Sequence, residues 1–333
     1  MEIRTVSLSG HSSLRVGGEG KVVVVRNEEE IKEALMHAKA SGLCVHLLGG
    51  GTNSYFGTDL SKFLFVQLDC KGIAFIDRGD TVLVTAQASE NWDDLVRVTV
   101  EQGLWGIENL SLIPGTAGAA PVQNIGAYGV ELKDVFESLT ALDTETMTVR
   151  EFTREECRFG YRDSFFKLQK GRCIITSVSL LLSKLKRPVL IYKPLDVLGM
   201  NPALTPQEVR DVVVRTRETK LPDWQENPNA GSFFKNPVID RATSERLVTP
   251  YPSMPLIETG EGYKIPAAWL IEHVAEMKGF RMGDLGTWPN QPLVLVNYGQ
   301  ASANDIDALA SQIQNRIHEK TGIMLEQEVN RVG

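Results

Sequence analysis

The chain has 333 residues and a formal net charge of −7, from 35 Lys and Arg against 42 Asp and Glu. Hydrophobic residues make up 42% and charged residues 23% of the sequence, as in an ordinary folded soluble protein. The length predicts two or three domains, and the acidic balance argues against a protein that binds nucleic acid by neutralising phosphates. A local basic pocket for a small anion is compatible with this balance.

Three further features bear on location and chemistry. No stretch approaches the roughly 18 consecutive apolar residues that span a membrane, and the N-terminal residues lack the basic start and apolar core of a signal peptide. The four cysteines include no C-x-x-C pair, so we expect neither a disulfide framework nor a structural zinc site. The five histidines show no H-E-x-x-H spacing, which argues against metal catalysis. Together these features favour a protein of the reducing cytoplasm.

Short apolar runs alternate with amphipathic stretches in the first half of the chain, which predicts strands and a few helices. Asn27 can cap a helix that ends at Gly42, and Trp92 begins the apolar face of a second helix that stops at Gly103. Strands are predicted over residues 22–25, 44–48, 63–68, 81–87, 138–143 and 173–182.

The pattern of predicted elements changes near residues 187–188, where short strands give way to longer helices. We therefore predict an α+β fold with two regions that divide near residues 190–205. The predicted elements of the second half are a helix from Thr205-Pro206, a connection over 221–237, a helix from Ile265-Pro266 to Gly279, a strand over 292–297, a helix from Ile306 to Ile317 and a strand over 323–329.

The strand over residues 44–48 runs into a first glycine loop, Gly49-Gly50-Gly51-Thr52-Asn53-Ser54. Consecutive glycines permit backbone angles that side chains forbid, and their N–H groups can approach an anion closely. The spacing is not G-x-G-x-x-G and no helix pattern follows directly, which excludes a Rossmann or P-loop interpretation. A tight structural turn and a phosphate cradle are both compatible with this loop.

A second glycine loop, residues 113–129, reads I-P-G-T-A-G-A-A-P-V-Q-N-I-G-A-Y-G and consists almost entirely of small side chains. Such a stretch has little apolar bulk for a core. It suits backbone that packs against a large flat group or a diphosphate. A buried crossover between packed strands is the alternative interpretation.

Together the two glycine loops resemble the flavin-binding half of the FAD-dependent vanillyl-alcohol oxidase (PCMH-type) family. The resemblance implies that they wrap the pyrophosphate and the isoalloxazine edge of FAD. No histidine occurs between His46 and His273, so we expect FAD to be bound noncovalently. The residues that the resemblance assigns to FAD are Gly49, Gly50, Gly51, Thr52, Asn53, Ser54, Pro114, Gly115, Thr116, Ala117, Gly118, Ala119, Asn124, Ile125, Gly126, Ala127 and Tyr128.

Three further motifs narrow the resemblance: G-Y-R-D-S-F-F-K at 160–167, N-A-G-S-F-F-K-N-P at 229–237 and L-E-Q-E-V at 325–329. With the loops they resemble the UDP-N-acetylenolpyruvoylglucosamine reductase (UDP-N-acetylmuramate dehydrogenase) family over nearly the whole chain. This implies a two-subdomain FAD-binding module and a separate α+β substrate-binding domain. The implied boundaries are 1–70 for FAD-binding subdomain 1, to which the strand over 323–333 returns, 71–204 for FAD-binding subdomain 2 and 205–322 for the substrate-binding domain.

The resemblance also implies a reaction. The family reduces the enolpyruvyl ether of UDP-N-acetylglucosamine to UDP-N-acetylmuramate, a precursor of bacterial peptidoglycan. NADPH passes a hydride to FAD, which passes it from N5 to the β-carbon of the enolpyruvyl group, and the α-carbon is then protonated. We therefore expect an NADPH-dependent flavoenzyme that acts as a monomer on UDP-N-acetylglucosamine enolpyruvate, without nucleic acid, membrane or metal.

The catalytic residues implied by the resemblance are Arg162, Ser232 and Glu328. Arg162 offers a planar, permanently charged fork to a substrate carboxylate that gains negative charge, Ser232 resembles the proton donor to the α-carbon, and Glu328 works beside Arg162. From the residues alone, Arg162 could instead pair with Asp163, Ser232 could cap a helix and Glu328 could be an edge-strand charge. Glu326 would share one strand face with Glu328, so a shift of the alignment would move the role to it.

Substrate binding is implied for three more residues. Lys220 and Asn236 match positions that hold the diphosphate or uridine end, and Tyr192 resembles the tyrosine of a loop that closes over the nucleotide sugar. Residues 330–333 depart from the apolar continuation that is usual after the E-V step. Two other functions stay open, namely an FAD oxidase or dehydrogenase of the same fold acting on another small substrate, and an inactive binding protein.

Overall fold

The computed structural model describes the backbone of residues 1–333 and every side chain except that of Met200. The chain divides into two units, each built from segments that are separate in the sequence. The first unit comprises Met1–Val6, Gly20–Gly50 and Ser61–Thr219, and the second comprises Ser7–Glu19, Gly51–Leu60 and Lys220–Gly333.

Helices and strands are mixed along the whole chain, which confirms the predicted α+β class. The strands are β1 Ile3–Ser7, β2 Glu19–Val25, β3 Cys44–Leu48, β4 Ser54–Phe56, β5 Phe63–Leu68, β6 Ile73–Asp77, β7 Thr81–Gln87, β8 Gly126–Ala127, β9 Val130–Glu131, β10 Phe136–Asp143, β11 Thr148–Thr153, β12 Cys173–Ser183, β13 Asn229–Ser232, β14 Val238–Ile239, β15 Ile257–Thr259, β16 Gly262–Lys264, β17 Arg281–Met282, β18 Leu285–Trp288, β19 Gln291–Asn297 and β20 Asn330–Val332. The α-helices are α1 Glu28–Ala40, α2 Trp92–Glu101, α3 Arg154–Cys157, α4 Phe165–Leu168, α5 Pro206–Lys220, α6 Arg241–Val248, α7 Ala267–Trp269 and α8 Ala303–Thr321. Shorter 3-10 helices occupy Leu8–His11, Glu108–Leu110, Ala120–Gln123, Leu132–Asp134 and Leu195–Met200, and a π-helix occupies Leu270–Val274.

The first unit contains a sheet in the order β1-β2-β5-β3, in which β2, β5 and β3 run parallel. Helix α1 connects β2 to β3 and buries Ile31 and Ala34 against this sheet. The predicted cap is confirmed, because Asn27 Oδ1 accepts a hydrogen bond from Glu30 N at 2.9 Å. The helix ends before Gly42, whose φ of 65° suits glycine. Strand β3 thus delivers the chain to the first glycine loop.

A second sheet of the first unit is antiparallel in the order β11-β10-β12-β7-β6. Helix α2 covers it with a face that includes the buried Trp92 and Leu95. Helix α5 also packs in this unit, where Val209 and Val213 are buried in a cluster with Trp105. Residues 205–219 therefore lie with the first unit, whereas the predicted substrate-binding domain starts at residue 205.

The second unit has its own core beneath a sheet in the order β13-β19-β18-β17. Helix α8 buries the stripe predicted from the sequence, from Ile306 to Ile317, against residues such as Leu295 of β19. Ser302 caps this helix, and Gly322 ends it with a φ of 75°. The buried stripe of α8 and the sheet together form one hydrophobic core.

Most predicted strands match the structure, and three predictions in the second half are wrong. The segment predicted as a strand over 323–329 makes only one isolated antiparallel bridge, from Gln327 to Phe234, and Ile323 and Leu325 are buried in the core. The true strand is β20, which pairs in parallel with β4. The helix predicted to stop at Gly279 ends at Val274, and the predicted connection over 221–237 contains β13.

Candidate active site

The two glycine loops touch each other within the first unit. Gly49 and Gly50 are exposed, and a Cβ atom on Gly50 would lie 3.0 Å from the Cα atom of Gly115. A Cβ atom on Gly49 would lie 3.6 Å from the hydroxyl oxygen of Thr116. The absence of side chains at Gly50 and Gly115 lets the two backbones approach this closely. The loops thereby form an accessible rim made of backbone atoms.

Part of the second glycine loop is committed to packing inside the protein. Ala117 N donates to the carbonyl of Glu90 at 2.8 Å, and Gly118 N donates to the carbonyl of Ala88 at 2.9 Å. A Cβ atom on Gly118 would lie 2.6 Å from the Cβ atom of Ala88. Both N–H groups are therefore used by the fold, and this part of the loop is a packed crossover. The next residue, Ala119, is exposed.

Asn124 holds the second glycine loop in shape. Its φ of 45° is left-handed, its side chain is buried, and its Nδ2 donates to the carbonyl of Gly160 and to a carboxylate oxygen of Glu131, both at 3.0 Å. Its Oδ1 accepts from Lys133 N at 3.0 Å. Asn124 is predicted to bind a cofactor, and the structure shows that its side chain ties the loop to the start of the G-Y-R-D motif.

The predicted carboxylate-binding fork, Arg162, lies against the same loop. Arg162 is half-buried, and its Nη2 donates to the carbonyl of Gly126 at 2.7 Å. Its own carbonyl accepts from Lys167 Nζ at 2.9 Å, and its φ of 53° is left-handed. The G-Y-R-D motif therefore turns sharply at Arg162 and holds a permanent positive charge beside the second glycine loop.

A second arginine near this charge was missed by the sequence analysis. Arg217 lies on α5, and its Nε is buried without a hydrogen-bond partner among the described residues. Burial lowers the pKa of the Arg217 guanidinium, the nearby Tyr128 and Asp93 counteract this, and the charge of Arg162 lowers it further. Its position three residues before Lys220 in the same helix was the available signal.

Tyr192, which is predicted to close over the nucleotide sugar, lies next to the end of the second glycine loop. Tyr192 is exposed, and a Cβ atom on Gly129 would lie 3.1 Å from its Cδ2. Asn109, which the sequence analysis also missed, is fully buried and donates from Nδ2 to the carbonyls of Tyr128 at 2.9 Å and Val189 at 2.8 Å. Asn109 thus connects the glycine loop to the segment that leads to Tyr192.

The second half of the first glycine loop belongs to the second unit. Gly51 has a φ of 65°, and a Cβ atom there would lie 2.0 Å from the carbonyl oxygen of His11. Ser13 N donates to the carbonyl of Gly51 at 3.0 Å, and Ser12 Oγ donates to the carbonyl of Ser54 at 2.8 Å. These contacts hold the backbone of the loop where β4 begins.

Ser232, Glu328 and Asn53 come together in the second unit. Ser232 is the exposed last residue of β13, and Glu328 N donates to the carbonyl of the next residue, Phe233, at 2.8 Å. Asn53 Nδ2 donates to the carbonyl of Glu328 at 3.3 Å. The helix-cap interpretation of Ser232 and the edge-strand interpretation of Glu328 are wrong, because Ser232 ends a strand and Glu328 lies outside any strand.

The structure gives the two candidate glutamates different surroundings. Glu326 has a side chain that is 70% exposed, and its carboxylate pairs with Lys235 Nζ at 2.5 Å. Glu328 is half-buried next to the Ser232 strand. Gln327, between them, forms an isolated antiparallel bridge with Phe234, which places Glu328 opposite Phe233 and Glu326 opposite Lys235. The surroundings favour Glu328 for a role beside Ser232.

The other two predicted substrate-binding residues are Lys220 and Asn236. Lys220 is exposed at the end of α5. Asn236 Oδ1 accepts from Ala267 N at 2.8 Å, so this side chain also fixes the start of α7.

Two other kinds of site find no support in the described part of the chain. No cluster of three or more His, Cys, Asp and Glu side chains able to hold a metal occurs among the described residues. None of the described helices is both long and apolar enough to cross a membrane.

Comparisons with known proteins agree with this organisation. Residues 223–332 match the family described as UDP-N-acetylenolpyruvoylglucosamine reductase, C-terminal domain, and residues 20–152 match an FAD binding domain. The UDP-N-acetylenolpyruvoylglucosamine reductase of Pseudomonas aeruginosa is 45% identical over 311 residues, which cover 92% of this chain and 91% of that protein. The protein of the same name from Amoebophilus asiaticus is 42% identical over 313 residues, which cover 92% of each.

One solved structure has the same fold along its full length. The crystal structure of UDP-N-acetylenolpyruvylglucosamine reductase from Thermus caldophilus superposes with a TM-score of 0.70 and covers 100% of both chains. The two sequences are 24% identical, so this likeness speaks for the fold alone.

Proposed function

Because this chain belongs to the UDP-N-acetylenolpyruvoylglucosamine reductase family, we propose that it reduces UDP-N-acetylglucosamine enolpyruvate to UDP-N-acetylmuramate. The enzyme is a flavoprotein of peptidoglycan precursor synthesis, with NADPH as its reductant. The observation that carries the proposal is the hydrogen bond from Glu328 N to the carbonyl of Phe233, which holds the backbone of Glu328 next to the residue that follows the predicted proton donor, Ser232.

The rim of the glycine loops supports noncovalent binding of FAD. Gly49, Gly50 and Gly115 leave backbone without side chains at an accessible surface, which is what a diphosphate or a flavin edge needs. Ala117 and Gly118 would support the cofactor indirectly, since Ala117 is fully buried and the fold uses the N–H groups of both residues to hold the loop. FAD held at this rim would supply the hydride-transfer chemistry that links NADPH to the enolpyruvyl group.

Arg162 would bind the substrate carboxylate. When a hydride adds to the β-carbon, negative charge develops on the α-carbon and the attached carboxylate. A preorganised cation stabilises that charge without reorganisation, and the bond to Gly126 holds the Arg162 guanidinium in advance. Arg217 would add a second positive charge nearby. Two cations near each other would stabilise the two negative charges that the carboxylate and the adjacent enolate carry after hydride addition.

Ser232 would donate the proton that completes the reaction. A hydroxyl is a weak acid, so it serves only because an enolate carbon is strongly basic and is held close. The exposure of Ser232 at the end of β13 leaves its hydroxyl accessible to a ligand. Glu328, whose N–H bonds to the carbonyl of the residue after that strand, would orient the substrate and relay a proton from solvent to replace the one that Ser232 gives up.

Three more residues would hold the nucleotide sugar. Lys220 carries an exposed ammonium group suited to the diphosphate. Asn236, whose Oδ1 accepts from Ala267 N, would lie beside the diphosphate or the uridine. Tyr192 would cover the sugar from its exposed position beside Gly129. We also propose that the enzyme works as a monomer in the cytoplasm.

The proposal is tested with purified protein that has been loaded with FAD. The protein should be yellow, and it should oxidise NADPH steadily only when UDP-N-acetylglucosamine enolpyruvate is present, with a product heavier by two hydrogen atoms. Rapid NADPH oxidation driven by oxygen without that substrate would favour an oxidase. A colourless protein that FAD cannot reconstitute would contradict the proposal.

A further inference from the structure

Asp307 connects two side chains that come from distant parts of the second unit. It lies in the early part of α8, and its carboxylate accepts a hydrogen bond from the Tyr55 hydroxyl at 2.6 Å through Oδ1. Its other oxygen pairs with Arg331 Nε at 2.8 Å. One carboxylate thereby binds both partners, with one oxygen for each. We refer to Asp307, Tyr55 and Arg331 as the strand clamp.

The strand clamp joins two strands at a single register position. Strands β4 and β20 are parallel neighbours, and Tyr55 is the direct partner of Arg331. A pair of strands by itself is only marginally stable in water. The short pairing of β4 with β20 therefore needs other contacts to hold it. Asp307 supplies them by bonding to the one residue of each strand that lies in the middle of the pairing.

Both ends of the clamp lead to the proposed catalytic residues. The fully buried Tyr55 ring packs on the Phe233 ring with centroids 6.1 Å apart, and Phe233 directly follows Ser232. Phe233 also accepts the hydrogen bond from Glu328 N. Two residues beyond Glu328, Asn330 N donates to the carbonyl of Asn53 at 3.0 Å at the start of β20. The clamp thus lies behind Ser232 and Glu328 without reaching either.

We propose that Asp307 is a positioning residue that, through Tyr55 and Arg331, fixes the placement of Glu328 relative to Ser232. The inference rests on the proposed function, since it concerns the step that those two residues perform. Burial, reinforced by Asp307, raises the pKa of Tyr55, so its hydroxyl remains a donor throughout the working pH range. Arg331 stands in the part of the sequence that departs from the apolar continuation implied by the family resemblance, so the clamp accounts for that departure.

The clamp is tested with Asp307→Asn, which keeps an acceptor for Tyr55 and removes the charge that Arg331 needs. We expect oxidation of the reduced flavin by UDP-N-acetylglucosamine enolpyruvate to slow by about tenfold, because small misplacements of reacting groups are costly. Flavin reduction by NADPH should be unchanged, and so should both steps in Glu319→Gln, an exposed position on the same helix. Stopped-flow absorbance of each half-reaction gives these rates.

A double-mutant cycle with Arg331→Gln tests whether Asp307 acts through Arg331 on the position of Glu328 or only through a general loss of stability. If the pair acts as a unit, Asp307→Asn combined with Arg331→Gln should be no slower than either single variant. Equal slowing of both half-reactions, or no slowing of either in the single variants, would overturn the inference. Arg331→Lys should restore part of the rate.

Amide hydrogen exchange makes the test independent of turnover. In FAD-loaded protein, Asp307→Asn should speed exchange at residues 328–332 at least about tenfold, with no change in α2 of the first unit. Unchanged exchange at residues 328–332 would contradict the clamp even if the enzyme is active. If Asp307→Asn speeds this exchange but the wild-type protein does not reduce the substrate, the proposed function is refuted and the strand clamp is retained. If Asp307→Asn does not fold, Tyr55→Phe and Arg331→Gln carry the same comparison.

Discussion

At the scale of single residues, the site is built from polar side chains that bond to the backbone of neighbouring segments. Asn124 binds three parts of the chain, Asn53 bonds to the carbonyl of Glu328, and Asn236 fixes the start of α7. An amide side chain offers donors and an acceptor, so one residue can hold two segments at once. These asparagines position the residues that would contact the ligands.

The role of Ser232 gives a prediction at this scale. Ser232→Ala should slow the oxidation of the reduced flavin by the enolpyruvyl substrate about 10² to 10⁴-fold, the usual range for losing a positioned acid. Flavin reduction by NADPH should change by less than about twofold, because that step needs no proton from Ser232. Stopped-flow traces of the two half-reactions measure both rates. Ser253→Ala, at an exposed position of the same unit, is the control, and equal losses in both steps would refute the proton-donor role.

At the scale of elements, the glycine loops serve both packing and ligand binding. In the second loop, Ala117 and Gly118 are bonded to the segment before α2, whereas Ala119 is exposed. In the first loop, Gly50 meets Gly115 and Gly51 meets His11. Some residues of each loop therefore pack inside the protein, and others are accessible to a ligand. The tightly packed residues hold the accessible ones in place.

The packing of Gly51 gives a prediction for this element. Gly51→Ala should lower the free energy of unfolding by more than about 1 kcal/mol, because a φ of 65° strains alanine and the new Cβ would meet the His11 carbonyl at 2.0 Å. Urea unfolding followed by circular dichroism measures the change, and flavin absorbance after gel filtration reports retention of FAD. Gly10→Ala should stay within about 0.5 kcal/mol of the wild type, since nothing lies within 4 Å of its Cβ position. Equal effects of the two variants would contradict the packing argument.

At the scale of the whole molecule, a net charge of −7 coexists with two arginines that lie near each other. Arg162 and Arg217 influence each other electrostatically beside the second glycine loop. FAD, NADPH and a nucleotide sugar are small anions, and a few placed cations and backbone N–H groups suffice for them. The acidic balance therefore argues against a surface for polyanions, and it does not argue against anionic ligands.

Whole-molecule stability should depend on pH through His46. Burial in β3, with a smaller contribution from Lys170, lowers the pKa of His46 from 6.5 to about 4. Between these pH values the unfolded chain binds a proton that the folded protein does not, so the free energy of unfolding should fall as the pH drops from 6.5 to about 4. The full loss is about 3 kcal/mol.

The substitution His46→Gln should flatten that dependence. Urea midpoints measured at several values between pH 7 and pH 4.5 would show it, and His37→Gln on the exposed face of α1 should leave the slope as in the wild type. An unchanged slope in His46→Gln would assign the acid sensitivity to other groups.

Local signals in the sequence predicted many elements correctly. The strands over residues 44–48, 63–68 and 81–87 match β3, β5 and β7, and α1 has the predicted Asn27 cap and ends before Gly42. Helix caps, helix stop signals and the alternation of apolar residues in strands each depend on residues that are close in sequence. They can therefore be recognised without knowing the tertiary structure. The segment over 323–329 misled the same reasoning, because its apolar residues are buried in the core as those of a strand would be, while its backbone forms only one isolated bridge, from Gln327 to Phe234.

The sequence by itself therefore determined the α+β class, the two glycine loops and, through the family motifs, the identities of Arg162, Ser232 and Glu328 as candidates. Only the tertiary structure decided which glutamate lies beside the Ser232 strand, that Arg217 stands near Arg162, and that Asp307 joins Tyr55 to Arg331. The physical reason is sequence separation. Periodicity and capping act over a few residues, whereas these contacts join segments far apart in the chain and exist only after the core has closed around them.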